Sequence, residues 1–175
     1  NALNVQIGPG DPISNIPVVI LYDHHQLHEG EIFRYSFYVA SLASGNSKDI
    51  RLVVPNITIT SNAVTQCPHL RFEFLSSLGG RAYLYEGPTT SADGTERTPI
   101  AMERNGTYTP LMKIYEDPVV DAVGTQLWQG LFFSGRTSSG GMDASDIEFV
   151  LKNNTKYLLR YTSAAASNER DAASM

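Results

Sequence analysis

An all-β fold is what this sequence predicts: an antiparallel β-sandwich, jelly-roll-like, with an extended N-terminal arm. Three observations carry the prediction. Apolar and polar residues alternate with a period of two along most of the chain, as they do on a half-buried strand. The alternating runs are short, rich in β-branched and aromatic residues, and bounded by Gly, Pro, Asn and Asp. No apolar stripe at helical spacing runs longer than two turns. Composition agrees. Only 18% of the 175 residues are charged, against roughly 25% in ordinary globular chains. The polar surface must therefore be built from Ser, Thr, Asn and Gln, whereas helix surfaces favour Glu, Lys and Arg.

Residues 1–22 stand apart from the rest. Gly8-Pro9-Gly10-Asp11-Pro12 and Pro17 interrupt any regular element, yet apolar residues are frequent. Disordered linkers are usually poor in such residues. The stretch reads as an arm that orders against a neighbour, with Leu3, Val5, Ile7, Ile13, Ile16, Val18 and Ile20 as its contact residues. A sandwich domain is expected over 23–162 and a tail, rich in Ala and Ser, over 163–175.

From Ile32 onward the alternation takes over. Phe33, Tyr35, Phe37 and Val39 mark a first strand. Ile50, Leu52 and Val54 mark the next, followed by Leu70, Phe72 and Phe74. Residues 82–85 follow the turn signal Gly79-Gly80, and the series continues at 111–115, 127–133, 147–151 and 157–162. Turn chemistry fills the gaps: Ser44-Gly45-Asn46, Asp93-Gly94, Asn105-Gly106, Asp117-Pro118 and Asn153-Asn154 either tolerate positive φ or preset a turn. Residues 134–145, with three glycines and four serines, read as one long loop. No internal repeat is evident. Eight or so strands with long connections suit a sandwich.

The formal net charge is -5 and no Lys/Arg cluster occurs, so nucleic acid is not an expected partner, because phosphate contacts need concentrated positive charge. No membrane span is expected. The longest apolar stretch, 16–22, is interrupted by Pro17 and falls far short of about 20 residues. Residues 1–10 carry no secretory signal pattern. A single cysteine, Cys67, leaves no intrachain disulfide and no Cys-based zinc site.

The one local cluster with chemical promise is Asp23-His24-His25-Gln26-Leu27-His28-Glu29. Imidazoles and carboxylates at close spacing can bind zinc, iron or nickel. On a jelly roll, His24, His25 and His28 invite comparison with a cupin metal site. That site needs two His one residue apart, whereas adjacent His24 and His25 face opposite sides of a strand. The competing reading is a polar strand entry, and no metal or other cofactor is expected. Serine lies in no Gly-x-Ser-x-Gly elbow. No Gly-rich phosphate loop joins a strand to a helix, and the carboxylates cannot be paired from sequence, so no catalytic residues are assigned and an enzyme is not expected. Tyr83 and Tyr85 could stack on a sugar or pack on a neighbouring strand. Three Asn-x-Ser/Thr sequons begin at Asn56, Asn105 and Asn153, in stretches where turns alone account for both residue types.

Several stretches, taken in order, resemble a family of small tailed-bacteriophage virion proteins. They are 24–33 (paired His, then His28-Glu29-Gly30), 41–50, Cys67-Pro68-His69-Leu70-Arg71-Phe72-Glu73, Tyr83-Leu84-Tyr85-Glu86-Gly87, 127–135 and 149–160. The match covers residues 22 to 162 and rests on the order and spacing of the stretches. The resemblance implies a structural protein of the phage particle, of the capsid decoration or cement type. Such a protein sits on the outer capsid surface, bridges major capsid protein subunits and associates with its own copies as a trimer. A carbohydrate- or receptor-binding module of a fibre or tail is the alternative, and a cupin-like metalloenzyme built on His24, His25 and His28 is the third reading. The family ordinarily ends in one more alternating strand, where this chain has residues 165–175; residues 1–22 have no counterpart.

Overall fold

The computed structural model describes residues 5–7, 19–21, 27, 29–57, 67–76, 79–132, 140–143 and 148–164. In chain order the strands are β1 (Val5–Ile7), β2 (Val19–Leu21), β3 (Phe33–Arg34), β4 (Ser47–Val53), β5 (His69–Leu70), β6 (Glu73–Ser76), β7 (Gly80–Glu86) and β8 (Thr89–Ala92). They continue with β9 (Thr95–Arg97), β10 (Ile100–Ala101), β11 (Lys113–Glu116), β12 (Val119–Ala122), β13 (Thr125–Phe132), β14 (Gly140–Asp143), β15 (Phe149–Val150) and β16 (Lys156–Ser163). Every pairing among them is antiparallel. The fold is all-β, as the alternation requires, and its sheets are consistent with a β-sandwich.

The chain divides into two compact units. One comprises Asn1–Phe37 with Thr98–Pro110, and the other Tyr38–Arg97 with Leu111–Met175. The first holds two small ladders, β1 with β2 and β3 with β10. Within it, Glu103 accepts hydrogen bonds from the backbone amides of Asn105 and Gly106, which closes the turn that Asn105-Gly106 predicts.

The second unit is built on a six-stranded sheet in the order β13-β7-β16-β4-β11-β9. Register places Leu84, Leu159 and Ile50 side by side, and Tyr157, Leu52 and Ile114 in the next row but one. All six are buried. This face is the core. Trp128 shares it as the partner of Leu84, and Phe72 meets the indole edge-on at 4.9 Å while stacking on Phe149 at 6.1 Å. On the opposite face Arg51 and Leu158 lie directly across from each other on the two central strands, 2% and 0% exposed.

The structure also holds an internal repeat, where none was expected. Tyr85-Glu86-Gly87-Pro88-Thr89-Thr90-Ser91-Ala92-Asp93-Gly94-Thr95 recurs thirty positions on as Tyr115-Glu116-Asp117-Pro118-Val119-Val120-Asp121-Ala122-Val123-Gly124-Thr125, identical at six of eleven places. Each copy is a strand, an elbow, a short middle strand, a second elbow and a third strand. Positive φ falls at matching points, Gly87 with Asp117 (72° and 53°) and Gly94 with Gly124 (87° and 85°). Both elbow prolines are buried. The copies interlock: β9 of the first pairs with β11 of the second, β13 of the second pairs with β7 of the first, and the middle strands β8 and β12 pair with each other. The sheet order is therefore palindromic about the line between β16 and β4.

Elsewhere the alternation overreached. Of the strand expected from Phe33 to Val39, only Phe33–Arg34 is in a ladder. The run Leu70 to Phe74 is split between β5 and β6, which pair with different partners. The loop expected over 134–145 contains β14, hydrogen-bonded to β6. The alternating apolar content of 33–39 satisfies a strand pattern, but among the described residues no strand pairs with residues 35–39.

Candidate functional site

The strands of the palindromic sheet line up two rows of side chains on the face opposite the core, polar or aromatic at every place but Leu158. The first row runs Gln126, Tyr85, Leu158, Arg51, Tyr115 and Glu96 across all six strands. Its ends mirror each other at the thirty-residue spacing: Gln126 answers Glu96 and Tyr85 answers Tyr115. The second row runs Gln129, Tyr83, Arg160 and Asp49.

Arg51 is the unusual member. Burying a guanidinium is costly unless its donors are satisfied. Here Nη1 donates to Thr90 Oγ1 at 2.7 Å and to Asp93 Oδ1 at 2.6 Å, both from the first repeat. The guanidinium also lies 4.5 Å from the centroid of the Tyr115 ring, which belongs to the second repeat. Among the described residues its Nε has no hydrogen-bond partner. Asp93 is 62% exposed, and the hydrogen bond from Arg51 holds its carboxyl below the usual range. An arginine in the run Asp49-Ile50-Arg51-Leu52-Val53 reads as the outward residue of a strand, so the sequence offered no signal that it is sealed.

In the second row Arg160 grips Asp49 through Nε and Nη2, at 2.7 and 2.6 Å. That bidentate bond holds the guanidinium proton more firmly still. Beside it the rings of Tyr83 and Tyr85 stack on each other at 5.5 Å and 25°. Burial, with the neighbouring Tyr83, pushes the Tyr85 hydroxyl up. The two tyrosines thus join a half-buried strip bordered by polar groups, compatible with either expectation held for them.

A separate cluster ties β5 to β15. His69 Nδ1 lies 2.8 Å from Glu148 Oε1, and Arg71 donates to Glu148 Oε2 at 3.2 Å. Burial raises the Glu148 carboxyl, but the bonds from His69 and Arg71 outweigh it and the net displacement is downward. Cys67 is a free, half-buried thiol. Among the described residues, no group of three or more His, Cys, Asp and Glu side chains is placed to hold a metal ion. The first unit carries a shallow recess of about 250 Å³ lined by Arg34, Tyr35, Ser36, Thr98, Ile100 and Met102.

Of the contact residues expected on the arm, Val5 and Ile7 lie in β1 and Ile20 in β2, which pair with each other in the register Val5 to Leu21. Leu3, Ile13, Ile16 and Val18 lie outside the described residues, as do His24, His25 and His28. Among the described residues, no helix is long and apolar enough to cross a membrane. Comparison with protein-family models, with curated proteins and with solved structures found no match.

Proposed function

We propose that the protein is a structural component of a phage particle that binds the outside of the capsid and stabilises it by bridging major capsid protein subunits. The observation that carries this reading is the ordered set of sequence stretches across 22–162 that resemble virion proteins. The surface supports it. Tyr38 is 88% exposed, and Ile100, Leu111, Val119 and Val150 are each more than half exposed. Together with the low charge content, this is a surface suited to partial cover by neighbours. A bridging protein works by avidity: each contact is modest, and linked contacts multiply.

Residues 1–22 are assigned the clamp, through Leu3, Val5, Ile7, Ile13, Ile16, Val18 and Ile20. Deleting residues 1–20 is expected to leave a folded domain that no longer attaches to heads lacking the protein. Attachment at the level of the full chain would refute the clamp.

A second reading, a carbohydrate-binding module of a fibre or tail, is favoured by the Tyr83 and Tyr85 strip beside Arg160. Copy number separates the two. Hundreds of copies per particle mean decoration and a few dozen or fewer mean a fibre or tail. The double substitution Tyr83→Ala/Tyr85→Ala should abolish glycan binding under the second reading and leave capsid attachment intact under the first.

A further inference from the structure

The interlocked repeat poses a wiring problem. Each third strand could join either edge of the sheet. In the observed order, β9 pairs with β11 and β13 with β7. If each repeat folded back on itself, the order would be β9-β7-β16-β4-β11-β13. This is also palindromic, built from the same elbows and from third strands that both begin at a Thr preceded by Gly. The elbow backbones are alike in the two repeats, and each second-elbow glycine packs against the other repeat, Gly94 on Glu116 and Gly124 on Glu86. The two halves differ in their side chains.

Arg51 sits where the choice is made. It lies on β4, next to β11 of the second repeat, with its guanidinium over Tyr115 of that repeat. Its two hydrogen-bond acceptors, Thr90 and Asp93, come from the first repeat. The contact therefore spans the crossing. The equivalent positions elsewhere are apolar: Leu158 stands across from Arg51, and Val120 and Val123 answer Thr90 and Asp93. The chain thus contains a hydrophobic version of the same three positions, and one half of the sheet uses it. A buried charge adds little net stability over such a set, but an unmatched one is strongly unfavourable, which makes it a means of excluding a competing arrangement. Two further ion pairs across the same junction, Lys113 with Glu96 at 3.3 Å and Arg97 with Glu116 at 3.1 Å, point the same way, but every partner except Glu116 is about half exposed and such pairs are weak.

We propose that Arg51, Thr90 and Asp93 form a tie that selects the crossed wiring of the two repeats over the uncrossed one. The inference concerns the fold alone and stands whatever the protein binds.

The test uses the full chain. The triple variant Arg51→Leu/Thr90→Val/Asp93→Val gives the first half the apolar set of the second. It should fold and show two sets of amide resonances for β9 and β13. The minor set should reach about 5% or more, within the range of populated minor states, and place Thr95 beside Glu86. A single set with Thr95 beside Glu116 alone overturns the proposal. Should the triple variant fail to fold, Asp93→Asn decides. It keeps the size of the side chain and leaves Arg51 a neutral acceptor in place of a carboxylate, and the β9 amides should then exchange about tenfold faster or more, as expected when an ion-paired hydrogen bond becomes a weaker one, with the β13 amides unchanged. Equal change in β9 and β13 overturns the proposal.

Discussion

The two halves of the six-stranded sheet share a backbone and differ in what fills it. Gly87 and Asp117, Pro88 and Pro118, and Gly94 and Gly124 occupy the same bends thirty residues apart. Between those bends the first half sets Thr89, Thr90 and Asp93 where the second sets Val119, Val120 and Val123. The edges differ too. β9 is three residues long and ionic through Glu96 and Arg97. β13 is eight residues long, carries no charge, and is interrupted by a register shift between Gln126 and Trp128. Charges and bulges are two ways of blunting a sheet edge against unwanted pairing. The elbows are thus the constant part of this fold, and polar or apolar filling is what the chain varies.

The largest effects should come from what is constant. At Gly94 an added Cβ would overlap the carbonyl oxygen of Glu116, and at Gly124 that of Glu86. Each also has positive φ. Gly94→Ala and Gly124→Ala should each cost about 2–5 kcal/mol, combining left-handed strain with overpacking, and match within about 1 kcal/mol in denaturant titrations. A marked inequality would break the equivalence of the halves.

An intermediate effect separates the halves by pH. The hydrogen bond from Arg51 lowers the Asp93 carboxyl in the folded state. A depressed carboxylate contributes stability that is present above its unfolded value, near 3.9, and lost as pH falls through the lower folded value. Thermal unfolding followed from pH 5 downward should therefore show a shallower decline in Asp93→Asn than in the unaltered chain. Val123→Asn, the matching change in the other half, should leave the slope unaltered.

Gly87→Ala isolates the conformational part of the elbow. No atom lies within 4 Å of the added Cβ, so only left-handed strain remains, about 1–2 kcal/mol, less than at Gly94.

The smallest difference lies in the two elbow glutamates. Lys48 reaches Glu116 at 3.1 Å and Asp117 at 2.7 Å with a side chain only 15% exposed. Lys152 reaches Glu86 at 2.7 Å from an open position. Lys48→Ala should cost about 1 kcal/mol and Lys152→Ala about 0–0.5 kcal/mol, following the usual decline of ion pairs with exposure.

How much of this could be read from the sequence depends on which residues face inward. β4, β7 and β16 are legible because Ile50 and Leu52, Ala82 and Leu84, and the 157–162 run carry the apolar signal that the core imposes. β8 and β12 are not. Thr89-Thr90-Ser91-Ala92 shows no alternation, because the strand is defined by its pairing with β12 and by the elbows at either end. The repeat was open to inspection, but the Pro and Gly among its six shared residues read as separate turns rather than as parts of one unit. Arg51 could not be anticipated, since its burial follows from Thr90 and Asp93 arriving from 39 and 42 residues away. The strip of Tyr83 and Tyr85 was visible as an aromatic pair, but Arg160 and Asp49 beside it depend on register. The histidines at 24, 25 and 28 and most of the expected arm contacts fall outside the described residues.

The central structural claim is that the repeats cross. A disulfide reports it directly, because cross-linking requires the two Cα atoms to lie within about 7 Å. In a Cys67→Ser background, Thr95→Cys/Glu116→Cys joins register partners of the crossed sheet and should oxidise to a cross-linked, fully folded monomer. Thr95→Cys/Glu86→Cys joins the partners of the uncrossed sheet and should remain reduced. Cross-linking of the second pair, with the first left reduced, would contradict the account.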